Sequence, residues 1–128
     1  MNRVISIDLE SLDNFNILPE FSGGRASFKL ICVKDQAYLL GGYGNEPKPN
    51  GYFWCFTEKY SLANNTWEFV DNIHVNYDHG IAACSFMDSI YLMNRYNGGI
   101  EFNTKTQKSK TISKMNDERR NVGIAELY

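Results

Sequence analysis

Cysteine and histidine are the residues of this sequence whose chemistry could include metal binding or disulfide formation. The cysteines, Cys32, Cys55 and Cys84, are odd in number, widely separated and without a C-x-x-C motif. Each lies in an apolar or aromatic run, so we expect buried, reduced thiols that pack as small hydrophobic side chains. His74 and His79 have no third ligand at short spacing, so we expect no metal site and exposed polar histidines instead.

Nucleophilic catalysis has no pattern of residues to support it. The sequence contains no G-x-S-x-G motif, no phosphate-binding glycine loop and no histidine-based catalytic cluster. We therefore expect a protein that is not an enzyme and holds no cofactor. Asn64-Asn65-Thr66 fits the glycosylation pattern, but without a leader sequence at the N-terminus we expect it to serve as a turn.

Charge and composition exclude several classes of partner. The chain has 128 residues, 13 basic and 15 acidic side chains and a formal net charge of −2. A nucleic-acid-binding protein would show a basic excess or stripe, and the apolar runs are shorter than the ~18 residues of a membrane span. We therefore expect a cytoplasmic protein that binds neither nucleic acid nor membrane. The aromatic content of 14% favours β structure.

An internal repeat with a period of about 42 residues determines the elements that would position any site. Residues 84–93 have the form of residues 31–40, and residues 102–107 have the form of residues 60–65. The first copy carries an insertion in the loop 41–52. Repeated units of this length, built of short alternating segments between turns, predict four strands in each unit.

Both ends of the chain resemble parts of the same unit. Residues 7–15 look like residues 60–67 with one residue added, and residues 119–125 look like residues 77–83. The chain therefore holds the last half of one unit, two whole units and the first strand of another. We predict an all-β protein with strands at about 3–8, 14–18, 27–33, 37–42, 53–60, 66–70, 80–86, 89–94, 99–103, 109–113 and 122–127.

The repeat is similar to the kelch repeat. The matching residues are Gly41-Gly42 after Tyr38-Leu39-Leu40, then Tyr60 and Trp67, with Met115 and Arg119 leading into a further unit. The glycines would end the second strand where crowding leaves little room for side chains. Tyr60 and Trp67 would flank a tight turn and fill the gap between neighbouring units. The second copy departs from the pattern, because it has Asn94-Arg95 and Ser109 where the first has the glycines and the tryptophan.

The resemblance implies an open arc of a kelch β-propeller, with about two full four-stranded blades and two partial blades. It divides the chain into the last two strands of a partial blade (1–20), a kelch repeat with a long loop (21–73), a degenerate kelch repeat (74–115) and the first strand of a next blade (116–128). A closed ring needs at least four blades, on the order of 160 residues. We therefore expect open blade edges and self-association through them.

Partner binding in kelch propellers uses loops on one face, those between the second and third strands and those between blades. Position by position, the resemblance implies these loop residues: Arg25, Tyr43, Asn45, Glu46, Lys48, Asn50, Tyr52, His74, Asn76, Tyr77, Asp78, His79, Arg95, Tyr96, Asn97, Arg119 and Arg120. The loop 43–52 is distinctive because two prolines stiffen it. It is either a variable surface loop or part of a recognition surface.

Arginine recurs before the first strand of a unit, at Arg25 and at Arg119 or Arg120, with Asp78 in the second copy. Such an arginine either hydrogen-bonds loop carbonyls or binds carboxylates of an acidic peptide through its paired N–H groups. Asp78 interrupts the positive ring and argues against a preference for acidic peptides.

The lead-in segments 18–20 and 114–115 look like those of the BTB-kelch family, whose propellers select substrates for cullin ubiquitin ligases. This resemblance implies a non-catalytic protein-interaction module that recognises a substrate-like peptide for ubiquitination. The chain has no BTB segment, so we expect a fragment or a truncated relative. The alternatives are a kelch protein that binds actin or another cytoskeletal protein and, more remotely, a copper oxidase of the kelch type.

Overall fold

The computed structural model describes residues 4–7, 10, 15–21, 25–44, 57–71, 73, 81–94, 98–113, 116–117 and 123–124. These residues form an all-β structure, and none of them lies in a helix. Accordingly, the described part of the chain offers no helix with the length and apolar character needed to cross a membrane.

Twelve strands follow one another along the described residues. They are β1 Ile5–Ile7, β2 Phe15–Ile17, β3 Arg25–Ala26, β4 Lys29–Val33, β5 Gln36–Leu40, β6 Tyr43–Gly44, β7 Thr57–Ser61, β8 Thr66–Val70, β9 Ala82–Phe86, β10 Ser89–Asn94, β11 Gly98–Asn103 and β12 Lys108–Ile112.

Most of these strands belong to two antiparallel sheets of four strands each. The first sheet has the order β4-β5-β7-β8, and the second has β9-β10-β11-β12. Hydrogen-bonded neighbours follow one another in the chain, except that β6 lies between β5 and β7. Two smaller sheets accompany them: β1 pairs with β2, and β3 pairs with β6. Apart from the longer connection between β5 and β7, short segments join the neighbouring strands of the two four-stranded sheets, as is typical of antiparallel meanders.

Tight turns of the same geometry occur at matching places in the two sheets. Lys34 and Met87 follow the first strand of their sheets, and their φ angles are 56° and 52°. Asn65 and Gln107 precede the fourth strand, with φ angles of 53° and 56°. Left-handed residues at two-residue and four-residue turns give the strands the twist that antiparallel pairing needs. Asn64 and Asn65 lie in the predicted turn, while Thr66 already begins β8. The Tyr60 hydroxyl donates to Asn65 Oδ1 (2.6 Å) in this turn.

The hydrophobic core lies between the two four-stranded sheets. From the first sheet, Val33, Tyr38, Leu40 and Val70 enter it, and from the second, Ile90, Leu92 and Phe102. The rings of Tyr38 and Phe102 meet edge to face with centroids 6.2 Å apart, and burial raises the pKa of Tyr38. The backbones of the two sheets approach most closely at β4 and β9, their first strands.

The predicted strands are confirmed for the first ten segments, with ends shifted by a few residues. Of the eleventh, only Gly123 and Ile124 are described, and neither is in a strand. The pairing of β3 with β6 was not predicted, because two residues are too few to show a period.

Burial was predicted wrongly for one cysteine. Cys32 is exposed, Cys84 is half-buried, and neither forms a disulfide, whereas Cys55 lies outside the described residues. Cys32 alternates along β4 with Ile31 and Val33, which pack toward the second sheet, so its side chain lies on the opposite face.

Candidate functional site

The strand registers bring the flanks of the predicted loops to one end of the molecule. In the first sheet, Lys29, Leu40, Thr57 and Val70 pair in one row. The loop after Leu40 and the segments before Lys29 and after Val70 therefore start from the same end. We call this end, together with the matching end of the second sheet, the loop end.

The second sheet repeats this arrangement. Ala82, Met93, Gly99 and Ile112 form the matching row, so the connection after β10 and the segments before β9 and after β12 also start there. At the opposite end, which we call the turn end, Lys34 of the first sheet contacts Asp88 of the second. Because the turn ends of the two sheets meet, their loop ends lie on the same side of the molecule.

A two-stranded sheet joins two of the predicted loops at their bases. Arg25 pairs with Gly44 and Ala26 with Tyr43, which ties the segment before β4 to the first residues of the long loop. Arg25 and Tyr43, both predicted as binding residues, are therefore brought close together in the backbone. This pairing fixes where the long loop leaves the first sheet.

Arg25 is held in a buried ion pair beneath this junction. Its guanidinium contacts Glu58 Oε1, and the side chains of the two residues are 7% and 3% exposed. A second guanidinium nitrogen donates to the Gly41 carbonyl (3.3 Å), and the group lies over the Phe21 ring, 5.5 Å from its centroid. These contacts favour the structural alternative for Arg25, in which it supports the loops rather than meeting a partner.

The paired glycines end β5 as predicted. Gly41 and Gly42 follow Leu40, are buried, and have φ angles of 63° and 92°. A Cβ on Gly42 would stand 2.7 Å from the Ala26 carbonyl oxygen, so only glycine lets the chain pass this close to the segment that leads into β4.

Tyr60 and Trp67 pair across β7 and β8, and their ring centroids are 5.4 Å apart. Trp67 Nε1 donates to the Pro19 carbonyl (2.8 Å), and its ring meets Phe21 edge to face at 5.9 Å. Trp67 thus packs the first sheet against the segment that follows β2, which is where a residue filling the gap between units should act.

Charge at the turn end links the two sheets. Asp88, in the turn between β9 and β10, contacts Lys34 of the first sheet and Lys105 of its own sheet (2.8 Å). Hydrogen bonds from Lys105 and then Lys34 lower the pKa of the Asp88 carboxyl. This cluster lies opposite the loop end and supports the relative position of the sheets.

The remaining predicted binding residues lie outside the described part of the chain. They are Asn45, Glu46, Lys48, Asn50, Tyr52, His74, Asn76, Tyr77, Asp78, His79, Arg95, Tyr96, Asn97, Arg119 and Arg120. Within the described residues, no three His, Cys, Asp or Glu side chains form a group suited to a metal ion.

Sequence reasoning missed Glu58, the buried partner of Arg25. A signal was present in the sequence. Glu58 lies two residues before Tyr60, on the same face of β7, and the second copy of the repeat has Ile100 at the position of Glu58. An acid at a position that is apolar in the other copy indicates a buried charge, which requires a basic partner.

No model of a known protein family matches this chain, and none of the curated proteins matches it either.

Proposed function

We propose that the chain is an arc of a kelch-type β-propeller whose loop end binds a protein partner without catalysis. Support for the architecture comes from two sheets of identical strand order, packed face to face. Their closest backbone approach, at β4 and β9, is what neighbouring blades around a central channel would give.

The observation that carries the binding role is the convergence of loops at one end. Each predicted loop with described flanks starts from a row of paired residues at the loop end. A rigid sheet that presents several loops from one end is the usual arrangement for recognition surfaces. The buried Arg25–Glu58 pair and Gly42 hold the base of the longest loop in place.

The partner we propose is a protein substrate of a ubiquitin ligase. This rests on the resemblance of the lead-in segments to those of the BTB-kelch family. In such an arrangement, the loop end would bind a peptide segment of the substrate, while another domain or chain would bind the cullin.

The loop role can be tested with a displayed library of random peptides selected on the wild-type chain. The test variant changes Glu46, Lys48 and Asn50 of the long loop to serine. The control variant changes Leu62, Asn64 and Lys108 at the turn end, all exposed, to serine. We expect selected peptides to bind the loop variant at least about tenfold more weakly and the control variant unchanged. Equal binding to the loop variant, or no selected peptide, would overturn the loop role.

The ubiquitination role has a separate test in cells that express the full protein. We expect a cullin scaffold to co-precipitate with it. Absence of the cullin together with co-sedimentation of the chain with actin filaments would replace the ligase role with the cytoskeletal one.

A further inference from the structure

The two faces of each four-stranded sheet have different partners. In an antiparallel sheet, paired residues share a face and neighbours along a strand alternate. In the first sheet, Ile31, Val33, Tyr38 and Leu40 therefore lie on one face, and this face packs on the second sheet. The second sheet receives it with its opposite face, which carries Ile90, Leu92 and Phe102.

The repeat places the same kind of packing face on the second sheet, where its side chains stay partly exposed. Cys84, Phe86, Tyr91 and Met93 occupy the positions of Ile31, Val33, Tyr38 and Leu40, and their strands have the same register. Ile112 adds to this surface, since its side chain and that of Met93 close over Gly99. We call Cys84, Phe86, Tyr91, Met93 and Ile112 the outer face.

Exposure distinguishes the outer face from its counterpart. Val33, Tyr38 and Leu40 are at most 5% exposed, whereas Phe86 is 42% exposed, and Cys84, Tyr91, Met93 and Ile112 are half-buried. A face with the residues of a packed interface that stays partly open is typical of a docking surface.

A face of the complementary kind is open on the β1–β2 hairpin. Ile7 pairs with Phe15 as Tyr60 pairs with Trp67, so the hairpin repeats the third and fourth strands of a unit. Ile5, Phe15 and Ile17 then lie on the face that, in the second sheet, carries Ile100 and Phe102 and receives the first sheet. These three side chains are 56%, 61% and 56% exposed, and we call them the hairpin face.

We propose that two copies of this chain associate head to tail, with the outer face of one copy packed on the hairpin face of the other. The contact continues the interface already formed between the two sheets, because both faces occupy the same positions of the repeat as the two faces that meet there. Because this contact joins unlike faces, each assembly keeps one free face at either end. Further copies can therefore add there until the assembled copies close into a ring. The proposal depends on the repeat and not on partner recognition at the loop end.

Two substitutions and their mixture test this contact. Phe86→Glu disables the outer face and Phe15→Glu disables the hairpin face, each by placing a charge in an apolar contact. By sedimentation velocity up to about 100 μM, a concentration that reveals weak contacts, we expect wild-type assemblies larger than a monomer. Each variant alone should be monomeric, and an equimolar mixture should form a dimer through the one intact face of each variant.

Met87→Glu is the matched control, since Met87 is next to Phe86, is 77% exposed and lies in the turn rather than on the outer face. It should associate like the wild type. Circular dichroism at the same temperature checks that every variant keeps its β structure. A wild-type chain that remains monomeric throughout the concentration range would overturn the proposal. A mixture that stays monomeric would also overturn it, because the mixture still offers one intact outer face and one intact hairpin face. A single variant that dimerises on its own would overturn it as well, because that result indicates contact between like faces.

Discussion

The first and second four-stranded sheets have the same backbone arrangement but differ in the side chains that stabilise them. Strand order and register correspond, and so do the left-handed residues of two turns, Lys34 with Met87 and Asn65 with Gln107. The residues at corresponding positions nevertheless differ in charge, size and polarity. The comparison therefore separates what the repeat needs in its backbone from what each sheet can satisfy in its own way.

One pair of corresponding positions carries an ion pair in both sheets, with the acid and the base exchanged. Lys59 and Glu68 pair across β7 and β8, with Nζ and Oε2 3.4 Å apart. At the corresponding positions of β11 and β12, Glu101 and Lys110 form the same ion pair with the charges exchanged, at 2.7 Å. A hydrogen bond from Lys110 lowers the pKa of the Glu101 carboxyl. Both sheets therefore place opposite charges on neighbouring strands, but the strand that carries the positive charge differs between them.

A larger difference lies beneath the loop end. Glu58 is buried in the first sheet and paired with Arg25, whereas the second sheet has the apolar Ile100 at that position, packed against the core. An ion pair and an apolar residue can both fill a buried position, provided that no charge remains unpaired. The first sheet has the ion pair at this position, next to the β3–β6 junction at the base of the long loop.

The largest expected effect comes from breaking that ion pair. Arg25→Met leaves Glu58 buried without its cation, and we expect a loss of about 3–5 kcal/mol in the free energy of unfolding. Urea denaturation followed by circular dichroism measures it. The double variant Arg25→Met/Glu58→Ile adopts the solution of the second sheet and should recover most of that loss. A double variant as unstable as the single one would show that the two sheets do not satisfy this position independently.

Trp67 offers the next test, because the second sheet has Ser109 in its place. Trp67→Ser removes the ring contact with Phe21 and the hydrogen bond to Pro19. We expect a loss of about 2–3 kcal/mol, less than for a fully buried tryptophan because Trp67 is partly exposed. Trp67→Phe, the control, keeps an aromatic ring and loses the N–H donor, so its loss should be about 1 kcal/mol. Equal losses in both variants would assign the effect to the hydrogen bond and not to packing.

Much of the fold was predictable from the sequence because its signals are local. Strand segments follow from alternating apolar residues between turns, and Gly41-Gly42 marked the end of β5. The β3–β6 pairing was not predictable, because it joins two-residue segments far apart in the chain, and only tertiary packing stabilises them.

The candidate site was predictable only in its general position. The repeat placed the loops between corresponding strands, and the strand registers bring their flanks to one end. The role of Arg25 could not be read from its own position, since a recognition arginine and a structural one look alike in sequence. The choice between them depends on Glu58, which lies on a strand on the far side of the long loop.

The smallest expected effect concerns the turn end, where Asp88 joins both sheets through Lys34 and Lys105. Because these lysines lower the pKa of Asp88 in the folded chain, its contribution is complete above the pKa of an unfolded aspartate. That contribution is lost as the pH falls through the lowered, folded-state value. Asp88→Asn should therefore melt at a lower temperature than the wild type at pH 7, and the difference should shrink as the pH falls below the pKa of an unfolded aspartate. Asp35→Asn is the matched control, since Asp35 has the same turn position but the first sheet has Ala63 where the second has Lys105. An equal shift for both variants at pH 7 would mean that the turn, and not the link between the sheets, accounts for the effect.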